Sequence, residues 1–114
     1  ALPSTMMTSD YLPWKILSAT VGVGVLTDGW NLAAASEEDG ETRSFVTAVT
    51  FASPFSSVPV LHVGLTGFDV DHVSSARLSL VPEDISSHGF QLRITTWRSS
   101  RIYSVEFSWM AMGA

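Results

Sequence analysis

The sequence contains no cysteine, so disulfide bonds and thiolate metal sites are excluded and no redox clue to the compartment exists. Its single asparagine, Asn31, precedes Leu and Ala, which excludes an N-glycosylation sequon. No apolar run reaches the ~20 residues of a membrane helix, because Gly, Ser and Thr interrupt each one. Residues 1–13 lack the basic and apolar regions of a signal peptide, which leaves the compartment undecided, with secretion favoured.

Charge is also scarce, and most of it is negative. Only 15% of the 114 residues are charged, and 11 acidic against 6 basic residues give a net charge of −5. Nucleic acids and anionic membranes are therefore unfavourable partners, since phosphate binding needs a basic surface. The 46% of hydrophobic residues are enough for one compact core, and we expect a single globular domain over residues 16–114 after an extended arm over residues 1–15.

Apolar and polar residues alternate with a period of two, which predicts strands over residues 16–27, 44–51, 60–70 and 76–81 and two more within 89–113. Turn residues separate these segments, and almost no 3.6-residue helical pattern is present. The sequence therefore predicts an all-β fold, a six-stranded antiparallel β-sandwich of two three-stranded sheets. In the first strand, Gly22 and Gly24 predict a close approach by a neighbouring strand or subunit.

The stretch from Gly89 to Gly113 is predicted to form a β-hairpin with an Arg/Ser turn. Its first half places Trp97 on the polar face, beside Arg98, while its second half directs Tyr103 toward the core. The same alternation makes Arg77 face outward from the fourth strand. An aromatic ring stacks on the C–H face of a sugar, and arginine donates charge-assisted hydrogen bonds, so this cluster favours carbohydrate binding. Packing in a core or interface is the alternative.

Motifs for catalysis, metal or phosphate binding are weak or absent. The sequence has no HExxH, GxSxG or phosphate-binding loop. Asp69 and Asp71 with His72 form at most a weak cation site. A carboxylate pair between Glu106 and a loop acid stays open as a glycosidase alternative, although nothing selects such a pair. The acidic loop over residues 35–43 is typical of a solvated segment.

Several motifs resemble the H-type lectin family, which includes snail agglutinins and the C-terminal domain of discoidins. They are FASPFSSVPVLHVGLTGFDVD from Phe51, then Arg77, GF at Gly89, TW at Thr96 and IYSVEFSW from Ile102. The resemblance covers roughly residues 16–113 and is densest after Thr50. It implies a β-sandwich that assembles as a homotrimer, sometimes stacked into hexamers, and binds galactose or N-acetylgalactosamine without a metal or other cofactor. Without cysteine, any hexamer here must be noncovalent.

The resemblance also implies a set of sugar-binding residues. Arg77 would bind galacto-configured hydroxyls, Trp97 and Tyr103 would contact the ring and the N-acetyl group, and Ser75 replaces an amide side chain near the sugar. Arg98 replaces the histidine that contacts the N-acetyl carbonyl in snail agglutinins, which changes the expected preference for N-acetylgalactosamine because arginine is longer and permanently charged.

The acidic loop departs further from the family pattern. A gap-free match puts Gly40 where the family has aspartate and Glu38 where it has glycine. We expect a one-residue shift that gives Asp39 the acidic role, with Glu41 as substitute and with Gly40 in the site. The predicted function is a noncatalytic, multivalent lectin for galactose- or N-acetylgalactosamine-containing glycans. An oligomeric protein-interaction module of the same fold, without sugar binding, is the alternative.

Overall fold

The computed structural model describes residues 14–34, 42–72 and 75–114. Residues 1–13 of the predicted arm lie outside these ranges. The described residues form six strands: β1 Lys15–Gly24, β2 Thr42–Thr50, β3 Val60–Val70, β4 Ser79–Glu83, β5 Gly89–Trp97 and β6 Ile102–Gly113. The bounds of β3 coincide with the predicted segment, whereas β4 begins three residues later than predicted. Within the described ranges, no helix has the length and apolar character needed to cross a membrane.

The strands form two antiparallel sheets of three, in the orders β1-β6-β3 and β2-β5-β4. This arrangement confirms the predicted six-stranded sandwich. Both sheets direct their apolar alternate residues inward, as the pattern predicts. The buried hydrophobic residues come mainly from β5 and β6, the two central strands, and from the loops beside them: Val23, Leu32, Phe51, Phe55, Phe90, Leu92, Ile94, Ile102, Val105, Phe107, Trp109 and Ala111.

The predicted β5–β6 hairpin is wrong, because the two strands belong to different sheets. β5 pairs with β2 and β4, whereas β6 pairs with β1 and β3. Each strand presents one strongly apolar face, so each is most stable at the centre of a sheet with that face against the other sheet. Alternation predicts which face of a strand is buried. It does not show whether two successive strands are hydrogen-bonded neighbours in one sheet or lie opposite each other in two packed sheets. Residues 98–101 therefore cross from one sheet to the other.

At the end of β1, one of the two predicted glycines is closely approached by a neighbouring strand of the same chain. A Cβ atom added to Gly24 would lie 2.5 Å from the Tyr103 carbonyl oxygen and 2.9 Å from the Ser104 Cβ, so β6 occupies that space. A Cβ atom added to Gly22 would meet nothing within 4 Å. Gly24 is therefore required by packing inside the chain, and Gly22 is not.

The turn after β1 closes one end of the sandwich. Gly29 has a φ of +82°, as expected for a predicted Asp-Gly turn. Trp30 then packs at the edge of the core, as predicted, with its ring centroid 5.0 Å from that of Phe45. Its indole Nε1 donates a hydrogen bond of 2.9 Å to the carbonyl of Ile102. This bond ties the β1–β2 connection to the start of β6, beside residues 98–101.

Candidate functional site

Three of the predicted binding residues, Arg77, Trp97 and Arg98, lie around the connection between β5 and β6. Trp97 is the last residue of β5 and pairs with Thr42 of β2. It is half-buried on the outer face of its sheet, because it alternates with the fully buried Thr96. The predicted outward position of Trp97 is therefore confirmed. Arg98 follows with a φ of 59°, a left-handed conformation that turns the chain sharply, and it is exposed.

Arg77 lies two residues before β4, not within the strand as predicted. The ladder between β4 and β5 begins only at Ser79 opposite Thr95. Thr96 accounts for the difference: its hydroxyl is buried in the core, where it needs an acceptor, and it donates to the Arg77 carbonyl at 2.5 Å. The Arg77 side chain is half-buried rather than simply directed into solvent.

A buried serine connects Arg77 to the crossing segment. Ser100 is 1% exposed, and its hydroxyl accepts a hydrogen bond from Arg77 Nη1 at 3.1 Å. The same hydroxyl donates to the Ser75 carbonyl at 2.5 Å. No hydrogen bond from the described ranges occupies Arg77 Nε or Nη2. One edge of the guanidinium is thus held by the protein, while the other edge keeps its donors for a ligand.

A second arginine, Arg43 of β2, contacts the crossing segment through its guanidinium. Its Nη2 donates to the carbonyl of Arg98 at 3.0 Å and to that of Ser100 at 2.7 Å. Its Nη1 donates to the carbonyl of Ala34. One side chain therefore connects the segment after β1 with both ends of the turn after β5. Neither Arg43 nor Ser100 can be predicted as a site residue from the sequence, because a position at a strand start is typical of an exposed residue and Ser100 is adjacent to another serine.

Tyr103 departs from its predicted inward direction. The register between β3 and β6 passes from Asp69 opposite Ser104 to Val70 opposite Ile102, which leaves Tyr103 without a partner on β3. This bulge shifts the alternation, so that Ile102 takes the fully buried position and Tyr103 is half-buried. Tyr103 contributes to a depression of about 520 Å³ that also involves Gly24, Phe68 and Glu106. It belongs to the β1-β6-β3 sheet, whereas Trp97 belongs to the other.

The remaining candidates are only partly described. Asp39 and Gly40 of the acidic loop lie outside the described residues. In the parts that the structure does describe, no group of three or more His, Asp or Glu side chains could hold a metal ion. Asp71 Oδ1 lies 3.8 Å from the ring Nδ1 of the exposed His72. Glu106 accepts a hydrogen bond of 2.9 Å from the Thr66 hydroxyl.

The outer face of β5 carries a charged pair away from this cluster. Arg93 Nε donates to Glu83 Oε2 at 2.9 Å. This hydrogen bond and the Glu83 charge raise the pKa of Arg93. Among the described residues near the crossing segment, by contrast, the groups without a protein partner are the Nε and Nη2 edge of Arg77, the exposed Arg98 side chain and the face of the Trp97 ring. Such a set can donate several hydrogen bonds to hydroxyl oxygens and offer an aromatic surface to a ring.

Comparisons with known proteins match this chain to one protein family and to solved structures of one fold. A family model described as "H-type lectin domain" matches residues 46–112. A protein of Fuscovulum blasticum named "ATP synthase subunits region ORF 7" is 38% identical over 72 residues, which are 63% of this chain and 63% of that protein. The match thus spans less than two thirds of that relative.

Two solved structures of discoidin II from Dictyostelium discoideum share the architecture. The recombinant protein superimposes with a TM-score of 0.71 and the wild-type protein with a TM-score of 0.72, each at 24% sequence identity. The similarity covers 87% and 89% of this chain, but only 36% and 37% of the discoidin chains. This chain therefore shares its sandwich fold with about a third of the length of each discoidin chain.

Proposed function

This chain belongs to the H-type lectin family, and we propose that it is a noncatalytic lectin that binds terminal galactose and N-acetylgalactosamine. Family membership makes it a carbohydrate-binding domain. The observation that supports the choice of sugar is the half-held guanidinium of Arg77, whose Nη1 is bound to Ser100 while Nε and Nη2 keep their donors. This group is hydrogen-bonded to the crossing segment, which begins at Arg98 directly after Trp97.

The chemistry of galactose fits this arrangement. Its axial 4-hydroxyl and equatorial 3-hydroxyl lie on neighbouring carbons, so two parallel N–H donors of one guanidinium can reach both oxygens. The opposite face of the ring presents C–H groups that pack on an aromatic ring. In the proposed site Arg77 binds the two hydroxyls, and Trp97 contacts the apolar side of the sugar. Glucose also has neighbouring 3- and 4-hydroxyls, but its equatorial 4-hydroxyl would reach the same two donors only in a ring orientation that removes the galactose-like packing on Trp97.

The rest of the proposed site modulates this contact. We assign Asp39 and Gly40, which lie outside the described residues, to the same site, with the Asp39 carboxylate as acceptor for sugar hydroxyls, and Ser75 as a further polar contact. Arg98, exposed on the turn, donates to the acetamido carbonyl of N-acetylgalactosamine. Because this donor is long and always charged, we expect a weaker preference for the N-acetylated sugar than a histidine would give.

We further propose that the chain acts as a homotrimer or noncovalent hexamer. Support comes from the outer face of the β1-β6-β3 sheet, where Ile16, Met112 and Val60 form one cross-strand row. Their exposed fractions are 59%, 37% and 67%, so this row is an apolar strip open to a partner. Tyr103 belongs to the same sheet. Tyr103 lies near the opposite end of β6 from Met112, so an interface that runs along the whole outer face of this sheet would include Tyr103 as well.

Oligomerisation would also make weak monosaccharide sites useful. Linked sites raise avidity for clustered glycans by about 10² to 10⁴ without new contacts, provided that the spacing permits simultaneous binding. A trimer of this chain would thereby bind glycan-bearing surfaces that a single subunit would release.

Isothermal titration calorimetry tests the proposal. The oligomer is first sized by light scattering, and galactose, N-acetylgalactosamine and glucose are then titrated in the same buffer. We expect heat from the first two sugars at one site per chain and none from glucose. Equal binding of glucose would contradict the assigned specificity. An intact oligomer that gives no heat with any sugar would favour the protein-interaction module instead.

A further inference from the structure

We propose that Arg43 and Ser100 are positioning residues of the sugar site, which hold the Arg77 guanidinium and the crossing segment in the conformation that binds ligand. This inference rests on the proposed function, since it explains how that site is built. The hydrogen bonds of these two side chains to described residues go to backbone carbonyls and to the Arg77 guanidinium.

The geometry of Arg43 suits this role. Arg43 lies on β2 opposite Thr96 of β5, so its backbone is held by the pairing of the two strands. Its planar guanidinium donates through two different nitrogens, Nη1 to the carbonyl of Ala34 and Nη2 to those of Arg98 and Ser100. A lysine ammonium has no such rigid fork and cannot hold the same acceptors in one fixed arrangement.

The hydrogen bond from Arg43 to the Arg98 carbonyl supports an unusual backbone conformation at Arg98. A non-glycine residue with a φ of 59° is in a sparsely populated conformation and persists only when its surroundings fix it. The Arg98 carbonyl is fixed here by Arg43 Nη2 at 3.0 Å. Because the same residue carries the side chain assigned to the acetamido group, Arg43 determines where that side chain leaves the turn.

Ser100 extends the support from the turn to Arg77. Arg43 holds the Ser100 carbonyl at 2.7 Å, and the Ser100 hydroxyl accepts from Arg77 Nη1 at 3.1 Å. The Thr96 hydroxyl holds the other end of Arg77 by its carbonyl at 2.5 Å. Arg77 is thus fixed at both its backbone and its guanidinium. A side chain ordered before binding loses less conformational entropy when the sugar arrives, which improves affinity without a new contact.

The first test measures galactose affinity by calorimetry for four variants. Ser100→Ala removes the hydroxyl, and Arg43→Lys keeps the charge but removes the fork; we expect each to weaken binding about 10-fold, an estimate from the loss of preorganisation. Ser99→Ala, at the exposed neighbouring serine, and Arg93→Lys, on the outer face of β5, are matched controls and should stay within about twofold. Galactose binding within twofold of wild type in both Ser100→Ala and Arg43→Lys would overturn the proposal.

A rescue variant separates positioning from general stability. Ser100→Thr retains a hydroxyl that can accept from Arg77, so we expect its affinity to return to within about threefold of wild type. Thermal unfolding of every variant is recorded beside the affinity. If the loss of affinity followed the loss of thermal stability across all variants, controls included, the residues would be structural only and the proposal would be wrong.

A readout without sugar distinguishes this inference from the proposed function. In ¹⁵N NMR, a guanidinium held by Ser100 rotates slowly and gives separate Nη signals for Arg77. Ser100→Ala should merge those signals, whereas Ser99→Ala should leave them unchanged. Merged Arg77 signals in the wild-type protein would contradict the positioning role. If the wild-type protein binds no galactoside but keeps the separate signals, the proposed function fails while the held guanidinium stands.

Discussion

Replacing Arg77 with alanine is the sharpest perturbation of the proposed site, because the structure separates its effect on binding from its effect on folding. The side chain gives Nη1 to Ser100 and keeps Nε and Nη2 for a ligand. Its truncation leaves the backbone carbonyl in place, so the Thr96 hydroxyl retains its acceptor. The Ser100 hydroxyl also retains its bond to the Ser75 carbonyl. The variant therefore leaves both the Thr96 and the Ser100 hydroxyl with an acceptor, and we expect it to fold and assemble as wild type.

The loss of affinity follows from the hydrogen bonds removed. Two donors from a charged group to sugar hydroxyls are lost, and one hydrogen bond to a charged group contributes about 1.5 to 3 kcal/mol. The two hydrogen bonds come from one side chain, so their contributions do not add fully, and we expect a combined loss of about 1.5 to 3 kcal/mol in binding free energy. This corresponds to galactose binding about 10- to 150-fold weaker. For a monosaccharide site that is already weak, calorimetry would detect no binding.

Calorimetry with galactose and sizing by light scattering are performed on Arg77→Ala and on Arg93→Ala. Arg93 is the control because it lies on the outer face of the same sheet and pairs with Glu83. We expect binding to vanish in the first variant and to persist in the second, with the same oligomer in both. Unchanged binding in Arg77→Ala would refute the assignment of this residue. Loss of the oligomer together with binding would refute the argument that the two effects are separate.

Three further predictions concern Arg98, the buried Leu92 compared with Val46, and Gly24 compared with Gly22. Arg98→His should raise the preference for N-acetylgalactosamine over galactose on a glycan array, and an unchanged profile would contradict the role given to Arg98. Leu92→Ala should cost about 2 to 5 kcal/mol in urea unfolding because Leu92 is fully buried, whereas the partly exposed Val46→Ala should cost less than about 1 kcal/mol. Gly24→Ala should lower the midpoint of thermal unfolding, since its Cβ would lie 2.5 Å from a β6 carbonyl oxygen. Gly22→Ala should change stability by less than about 1 kcal/mol, and equal losses at the two glycines would show that contacts within the chain do not distinguish them.

The fold was largely predictable because strand periodicity is local. Phe90, Leu92 and Ile94 alternate with polar residues, and all three are buried, as predicted. Their burial places Trp97 on the outer face without any knowledge of the partner strands. The pairing was not predictable in the same way. β5 and β6 are joined by four residues and resemble a hairpin, yet their apolar faces gain more by facing each other across the core than by lying side by side.

The residues of the candidate site likewise differ in whether the sequence alone identifies them. Trp97, Arg98 and Arg77 were identified as residue types suited to a sugar and by the resemblance of their motifs. Arg43 and Ser100 were missed, because the carbonyls and hydroxyls they bind belong to segments far away in sequence. Asp39 and Gly40 remain predictions. Tyr103 was given the wrong direction, since one bulge in β6 shifts the alternation at that residue.

The strand segments, most of their buried faces and the resemblance to lectins can be predicted from the sequence, because period-two alternation and short motifs are encoded within a few neighbouring residues. The pairing of the strands and the hydrogen bonds that hold Arg77 depend on the tertiary structure. Whether Ser100 is an exposed turn residue or a buried hydroxyl between two arginines depends on hydrogen bonds from β2 and from the segment before β4. Those partners meet only when the two sheets pack, since their encounter is enforced by burial of the core and not by any local preference.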